Sequence, residues 1–183
     1  MLIREATQRD FESIWPIFRE IAAAGETYAY PRSILREDAE KRWMQVPRQT
    51  FVAVEGGDIL GFAVGVLRPE ARRGYVKLLA VEPARQREGI GRALVETLET
   101  GLARKGARTI RLLESAPNYL APGVDTRDAA ALALAAASGY RQVGEDYWSG
   151  PVSDVYDSLY DIRWFHVWKL NRSDIEYHKA NWW

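Results

Sequence analysis

The stretch Tyr75–Glu99, YVKLLAVEPARQREGIGRALVETLE, decides how the rest of the chain is read. Its first seven residues, Tyr75–Val81, are a nearly unbroken apolar run, too short for a helix and closed by Glu82-Pro83. That pattern predicts a buried strand. Ile90, Ala93, Leu94, Thr97, Leu98 and Leu102 then recur at helical spacing, which predicts a helix from about Gly89 with one buried face. Between the two lies the turn Gln86-Arg87-Glu88-Gly89-Ile90-Gly91. Gly89 and Gly91 carry no Cβ, so a ligand can approach the backbone closely there. The first N–H groups of a helix have no internal acceptor and sit at the positive end of its dipole, which suits a pyrophosphate. Arg85, Arg87 and Arg92 add positive charge at the same place.

Two familiar phosphate loops do not fit. The dinucleotide fingerprint needs GxGxxG, and the turn has only GxG; the P-loop ending GK and Ser or Thr is absent. What remains is (Gln/Arg)-x-x-Gly-x-(Gly/Ala) after an apolar strand ending Val-x-Pro. This combination resembles the acetyl-CoA-binding motif of the GNAT superfamily of N-acetyltransferases. An ordinary glycine-containing strand-to-helix turn is the structural alternative.

Composition bounds the rest. A chain of 183 residues fits one domain with a sizeable core. Lys+Arg and Asp+Glu are both 25, so the basic excess usual in nucleic-acid binders is missing, and no nucleic-acid partner is expected. There is no cysteine, which excludes disulfides, a cysteine nucleophile and thiolate-bound metal. His166 and His178 have no partner at metal spacing, so no metal is expected. The start MLIREATQRD does not read as a signal peptide, and the longest apolar runs, 59–67 and 129–137, are far short of a membrane span. The expectation is a cytoplasmic protein with no membrane partner.

Along the chain, Leu2–Glu5 reads as a strand, and Thr7-x-x-Asp10 as a capping box for a first helix over Gln8–Ala24 that Pro16 should kink or split. Ser33 can cap a second helix with Leu35, Ala39 and Trp43 on one side. Phe51–Val54 and Ile59–Leu67 are strands joined by Gly56-Gly57-Asp58, a hairpin turn, and the second is apolar on both faces as a central strand would be. Thr109–Leu113 is a strand, 114–126 a long loop, and Asp125 or Thr126 can cap an alanine-rich helix ended by Gly139. Arg141–Trp148 and Arg163–Leu170 read as the last strands. The order β-α-α-β-β-β-α-β-α-β-β is that of the GNAT fold, an α/β architecture with a mixed, splayed central β-sheet flanked by helices. The resemblance covers residues 1–170 as a single domain, and Gly139-Tyr140 resembles the Gly-Phe that closes the family's fourth helix.

Asn171–Trp183, NRSDIEYHKANWW, has no counterpart in the family core, and five of the seven tryptophans fall at or after position 148. This aromatic extension reads either as cover for the sheet edge or as a homodimer contact, since exposed aromatics favour interfaces.

The resemblance implies direct transfer of an acetyl group from acetyl-CoA to an amine, without a covalent enzyme intermediate. By position, the backbone of Leu79, Ala80 and Val81 would pair with the pantetheine arm. Gln86, which starts the motif, and N–H groups near Arg87, Gly89, Gly91 and Arg92 would hold the pyrophosphate. The amine must lose a proton before attack, and a carboxylate acting directly or through water can take it. Glu114, at the strand end beside the splay, is the first candidate, with a solvated loop residue as the alternative. Glu55, Glu82 and Glu26 are lesser ones. The tyrosine that many family members use as acid toward the thiolate is replaced by Ala135, and the usual asparagine at that helix's start by Asp128; Tyr119 or Tyr147 can substitute. Tyr28 and Tyr30 occupy the family's acceptor wall, or are packing residues.

The expected activity is N-acetyl transfer to a primary amine of a small-molecule or amino-acid-like acceptor. The alternatives are acetylation of a peptide or protein amine, a non-catalytic acyl-CoA-binding module, and a nucleotide-binding or purely structural α/β domain.

Overall fold

The computed structural model describes residues 1–24, 33–112, 124–125, 128–148 and 162–170, with the backbone alone for 24, 125, 143–148 and 162–170. The strand β1 (Leu2–Glu5) leads through a 3-10 turn at Gln8–Asp10 into helix α1 (Phe11–Ala24). Asp10 organises that entry. Its Oδ2 accepts from the Thr7 amide at 2.6 Å and the Thr7 hydroxyl at 2.8 Å, and Arg4 grips both of its oxygens at 2.7 and 2.8 Å. Of the kink or split expected at Pro16, the split does not occur: the proline lies inside the continuous helix α1, on its exposed side.

Helix α2 (Arg36–Met44) begins after Leu35, which stands at the cap position in place of Ser33 and is 63% exposed. Only Ala39 and Trp43 of its expected apolar side are buried. The hairpin β2 (Arg48–Glu55) and β3 (Asp58–Arg68) turns at Gly56-Gly57, and β4 (Arg73–Val81) pairs antiparallel with β3. After a 3-10 turn at Pro83–Arg85 come helix α3 (Ile90–Arg104) and strand β5 (Thr109–Leu112). The two-residue strand β6 (Val124–Asp125) falls inside the expected long loop, too short to leave a periodicity in sequence. Helix α4 (Ala129–Ala137) is capped by Asp128, whose side chain accepts from the Ala131 amide at 2.8 Å, rather than by Asp125 or Thr126. Strands β7 (Arg141–Trp148) and β8 (Ile162–Leu170) pair antiparallel.

Among the described residues the sheet runs β1-β2-β3-β4-β5-β8-β6, with β7 also on β8, and only β4 and β5 are parallel. Two cores sandwich it. On one face Phe11, Ile14 and Phe18 of α1 meet Trp43 of α2 over Phe62 of β3; the Phe18 and Trp43 rings lie 4.2 Å apart at 67°, an edge-on contact. On the other face α3 buries Leu94, Leu98 and Leu102 completely. It can lie close because β3 and β4 present Gly65 and Gly74: a Cβ there would stand 2.6 Å from Leu98 and 3.0 Å from Leu102. Each buried leucine contributes about 1.5–3 kcal/mol. These two packed layers fix the sheet and α3, and so hold the turn between them.

Candidate active site

The register of β4 changes where the site begins. Val64 stands opposite Leu78, but the next residue of β3, Gly65, stands opposite Val76, so Lys77 is an additional residue on β4, a β-bulge. The bulge swaps the faces of the strand. Gly74 lies under Leu102 of α3, as an even-numbered residue; beyond the bulge it is Leu79 and Val81 that come within 3.8 and 3.7 Å of a Cβ placed on Gly91 at the start of α3. Among the described residues, β4 pairs parallel with β5 from Arg73 opposite Thr109 to Val76 opposite Leu112, and antiparallel with β3 as far as Val81.

After the end of β4 the chain turns into α3. Gln86 reaches back, its side-chain amide donating to the Val81 carbonyl at 3.3 Å, and braces the turn against the strand end. Arg87 has φ +69° and Gly89 φ +84°, both in the left-handed region. Gly89 is the residue before α3, and nothing lies within 4 Å of where its Cβ would be. The amides of Arg87 and Gly89 donate to no acceptor among the described residues, and those of the first helical turn have no intrahelical one. Alternating backbone conformations with free N–H groups form a concavity that takes an anion.

The expected positive charge is smaller than the arginine count. Arg85 Nε donates to both carboxylate oxygens of Glu88, at 3.1 and 2.9 Å, and its NH2 to Glu55 Oε2 at 2.8 Å. Glu55, and then Glu88, raise the Arg85 guanidinium above its ordinary value. Arg85, then the N-terminal amine, hold the Glu55 carboxyl below the usual range, which makes Glu55 a poor base. Arg92 pairs with Glu96 at 2.8 Å. Arg87 makes no ion pair among the described residues and is the cation left to the turn.

The structure thus brings Leu79, Val81, Gln86, Arg87, Gly89, Gly91 and Arg92 to one place. Ala80 shares that place only by its backbone, since its side chain is buried on the opposite face, in register with Phe62. Leu134 of α4 lies beside the start of α3, 3.7 Å from a Cβ placed on Gly91. Glu114, Glu26, Tyr28, Tyr30 and Tyr119 lie outside the described residues, as do 149–161 and the extension 171–183; of Tyr147 only the backbone on β7 is described. Ala135 is buried. Tyr140 is buried after α4, and burial, then Glu99 of α3, push its phenol well above the usual range, so it stays protonated at neutral pH.

Sequence reasoning missed Lys77, whose ammonium lies 4.5 Å from the centre of the Tyr75 ring, because a run apolar on both faces conceals a change of register. It also missed Leu134 and the engagement of Arg85. Among the described residues there is no group of three or more His, Asp and Glu that could hold a metal ion. No described helix is long and apolar enough to cross a membrane.

The chain is similar to known proteins in sequence and in fold. The chain is 33% identical over 107 residues to the mycothiol acetyltransferase of Streptomyces bingchenggensis, a match covering 56% of this chain and 34% of that protein. It therefore spans about a third of the length of that curated relative. Among solved structures it is similar to a GCN5-related N-acetyltransferase from Kribbella flavida, with 27% identity, a TM-score of 0.75 and coverage of 92% of this chain and 96% of that one. A phosphinothricin acetyltransferase from Sinorhizobium meliloti, solved in complex with acetyl-CoA, shares the fold at 16% identity and a TM-score of 0.74, with coverage of 98% and 96%. The family model of the acetyltransferase (GNAT) family matches residues 9–123, more than half of the chain. With the mixed sheet and the glycine turn in place, the chain belongs to the acetyltransferase (GNAT) family.

Proposed function

We propose that the protein is an acetyl-CoA-dependent N-acetyltransferase that moves an acetyl group directly onto the primary amine of a small-molecule or amino-acid-like acceptor. The observation that carries this reading is the turn after β4, where the amides of Arg87 and Gly89 donate to no acceptor among the described residues, a few positions beyond Leu79 and Val81. The turn suits a pyrophosphate, and the strand end before it suits the extended, amide-bearing arm joined to that pyrophosphate. In this reading the backbone of Leu79, Ala80 and Val81 takes the arm, between the half-buried side chains of Leu79 and Val81. The amides around Arg87, Gly89, Gly91 and Arg92 take the pyrophosphate, with Gln86 holding the turn in shape and Arg87 supplying charge.

The transfer itself forms a bond from the amine nitrogen to the acetyl carbon and breaks the carbon–sulfur bond of the thioester. The ammonium proton goes first to a carboxylate, for which Glu114 remains the proposal, directly or through water. Glu55 is the weaker choice, since its carboxylate is tied to Arg85. Tyr28 and Tyr30 are proposed to wall the acceptor.

The first test is the melting temperature with millimolar acetyl-CoA, against ATP and NAD. A ligand that binds only the native state raises it by mass action. A rise specific to acetyl-CoA supports the reading, and an equal rise with ATP overturns it. Release of free thiol from acetyl-CoA in the presence of an amine panel then separates an enzyme from a binding module.

A further inference from the structure

The turn that offers its amides to an anion carries an anion of its own. Glu88 stands between Arg87 and Gly89, and its carboxylate is 46% exposed. Placed among the free amides it would compete with a pyrophosphate for them. Two negative charges at such close quarters repel one another. The structure shows where that carboxylate goes instead. Both of its oxygens are on Arg85 Nε, at 3.1 and 2.9 Å, on the side of the turn away from α3 in sequence.

Arg85 is itself held. Its amide donates to the Glu82 carbonyl at 2.9 Å, closing the 3-10 turn, and its NH2 donates to Glu55 at the end of β2 at 2.8 Å. Anchored at its backbone and at its far nitrogen, the guanidinium presents Nε in a fixed direction, and that one N–H is shared between the two oxygens of Glu88. Sequence alone assigns Arg85 to the phosphate as one more positive charge. The geometry assigns its donors to two carboxylates.

We infer that Arg85 is a positioning residue for acetyl-CoA: pinned by Glu55, it masks Glu88 and keeps that carboxylate off the turn amides without touching the ligand. The inference rests on the acetyl-CoA reading above. It makes Arg85 and Glu88 a coupled pair, in which the damage from losing the arginine is done by the glutamate it released.

A double-mutant cycle tests this, read as the acetyl-CoA dissociation constant by titration calorimetry together with KM and kcat. Arg85→Gln should weaken acetyl-CoA about 5- to 10-fold, from the unmasked charge. Glu88→Gln alone should change it less than about twofold, because its charge is already masked, and the double variant should return to within about twofold of the parent. The kcat values at saturating acetyl-CoA should agree, and the melting temperatures without ligand should stay close. An Arg85→Gln loss that Glu88→Gln fails to restore overturns the mask and makes Arg85 a direct ligand or a fold support. No loss in Arg85→Gln, or an equal gain from Glu88→Gln in both backgrounds, also overturns it. A parent protein that binds no acetyl-CoA at all removes the reading underneath, which the same titration distinguishes from failure of the pair.

Discussion

Val76 stands opposite Gly65 and Leu78 opposite Val64, so Lys77 between them is the additional residue of a bulge on β4. A bulge sharpens the local twist of a strand and changes which face its side chains take. The direction in which the end of β4 meets α3, where the arm lies in the proposed reaction, is therefore set by one residue of extra length. The distal half of β4 is kept in place by its ladder to β3 and by α3 above it.

The start of α3 should be sensitive to bulk rather than to the presence of a Cβ. A Cβ on Gly91 meets its nearest neighbours, Leu134, Val81 and Leu79, at 3.7–3.8 Å, which is ordinary contact. Gly91→Leu should fold and weaken acetyl-CoA by at least about tenfold, ~1.4 kcal/mol. Gly91→Ala is the size control and should bind more tightly than Gly91→Leu. Equal affinity in the two variants, measured by titration, would count against an arm passing this point.

Gly89 makes the opposite demand. Its surroundings are empty, but its φ of +84° is unfavourable for any L-residue with a Cβ. Gly89→Ala should cost about 1–2 kcal/mol of stability. For a chain of this length that lowers the melting temperature by roughly 2–4 °C per kcal/mol. A variant as stable as the parent in a thermal melt would show that the turn can relax.

Glu114→Gln should leave acetyl-CoA affinity near that of the parent and lower kcat by about 10²–10⁴-fold, the range for loss of a general base. Full turnover by steady-state kinetics at neutral pH would remove Glu114 from the mechanism.

Asp10 supplies a pH test of the fold. The hydrogen bonds from Arg4 in the first place, and from Thr7 besides, hold its carboxyl well below the usual carboxylate range. Its folded pKa is thus lowered relative to the unfolded chain, so its stabilisation is fully present above the unfolded value of about 4 and is lost as pH falls toward the folded one. Asp10→Asn should destabilise the protein at pH 7 by about 1–3 kcal/mol, the worth of hydrogen bonds to a charged group. The gap between parent and variant in thermal melts should narrow below pH 4. A gap that is constant with pH would show that the carboxylate's charge contributes nothing.

Much of this was legible in the chain. The apolar run at 75–81, the helical spacing after Gly89 and the two glycines of the hairpin each carry a strong local signal, and each names its element within a few residues. What sequence could not resolve were choices among equivalents. Ser33, Asp125, Thr126 and Asp128 are all good caps, and only the hydrogen bond to Ala131 selects Asp128. Glu82, Arg85, Arg87 and Glu88 offer several pairings within seven residues, and the nearness of Glu55 on another strand decides for Arg85. A strand apolar on both faces gives no alternation from which to read the extra Lys77, so the turning away of Ala80 was hidden with it.

The bulge also constrains how the chain can vary in length. Gly74 and Val81 both face α3 although they lie an odd number of positions apart, a spacing that a regular strand puts on opposite faces. Insertion or deletion of one residue in this interval makes the spacing even, so that a strand without a bulge serves, whereas a change of two keeps the bulge necessary. The parity of β4's length, more than the identity of any one of its side chains, decides whether the extra place is needed.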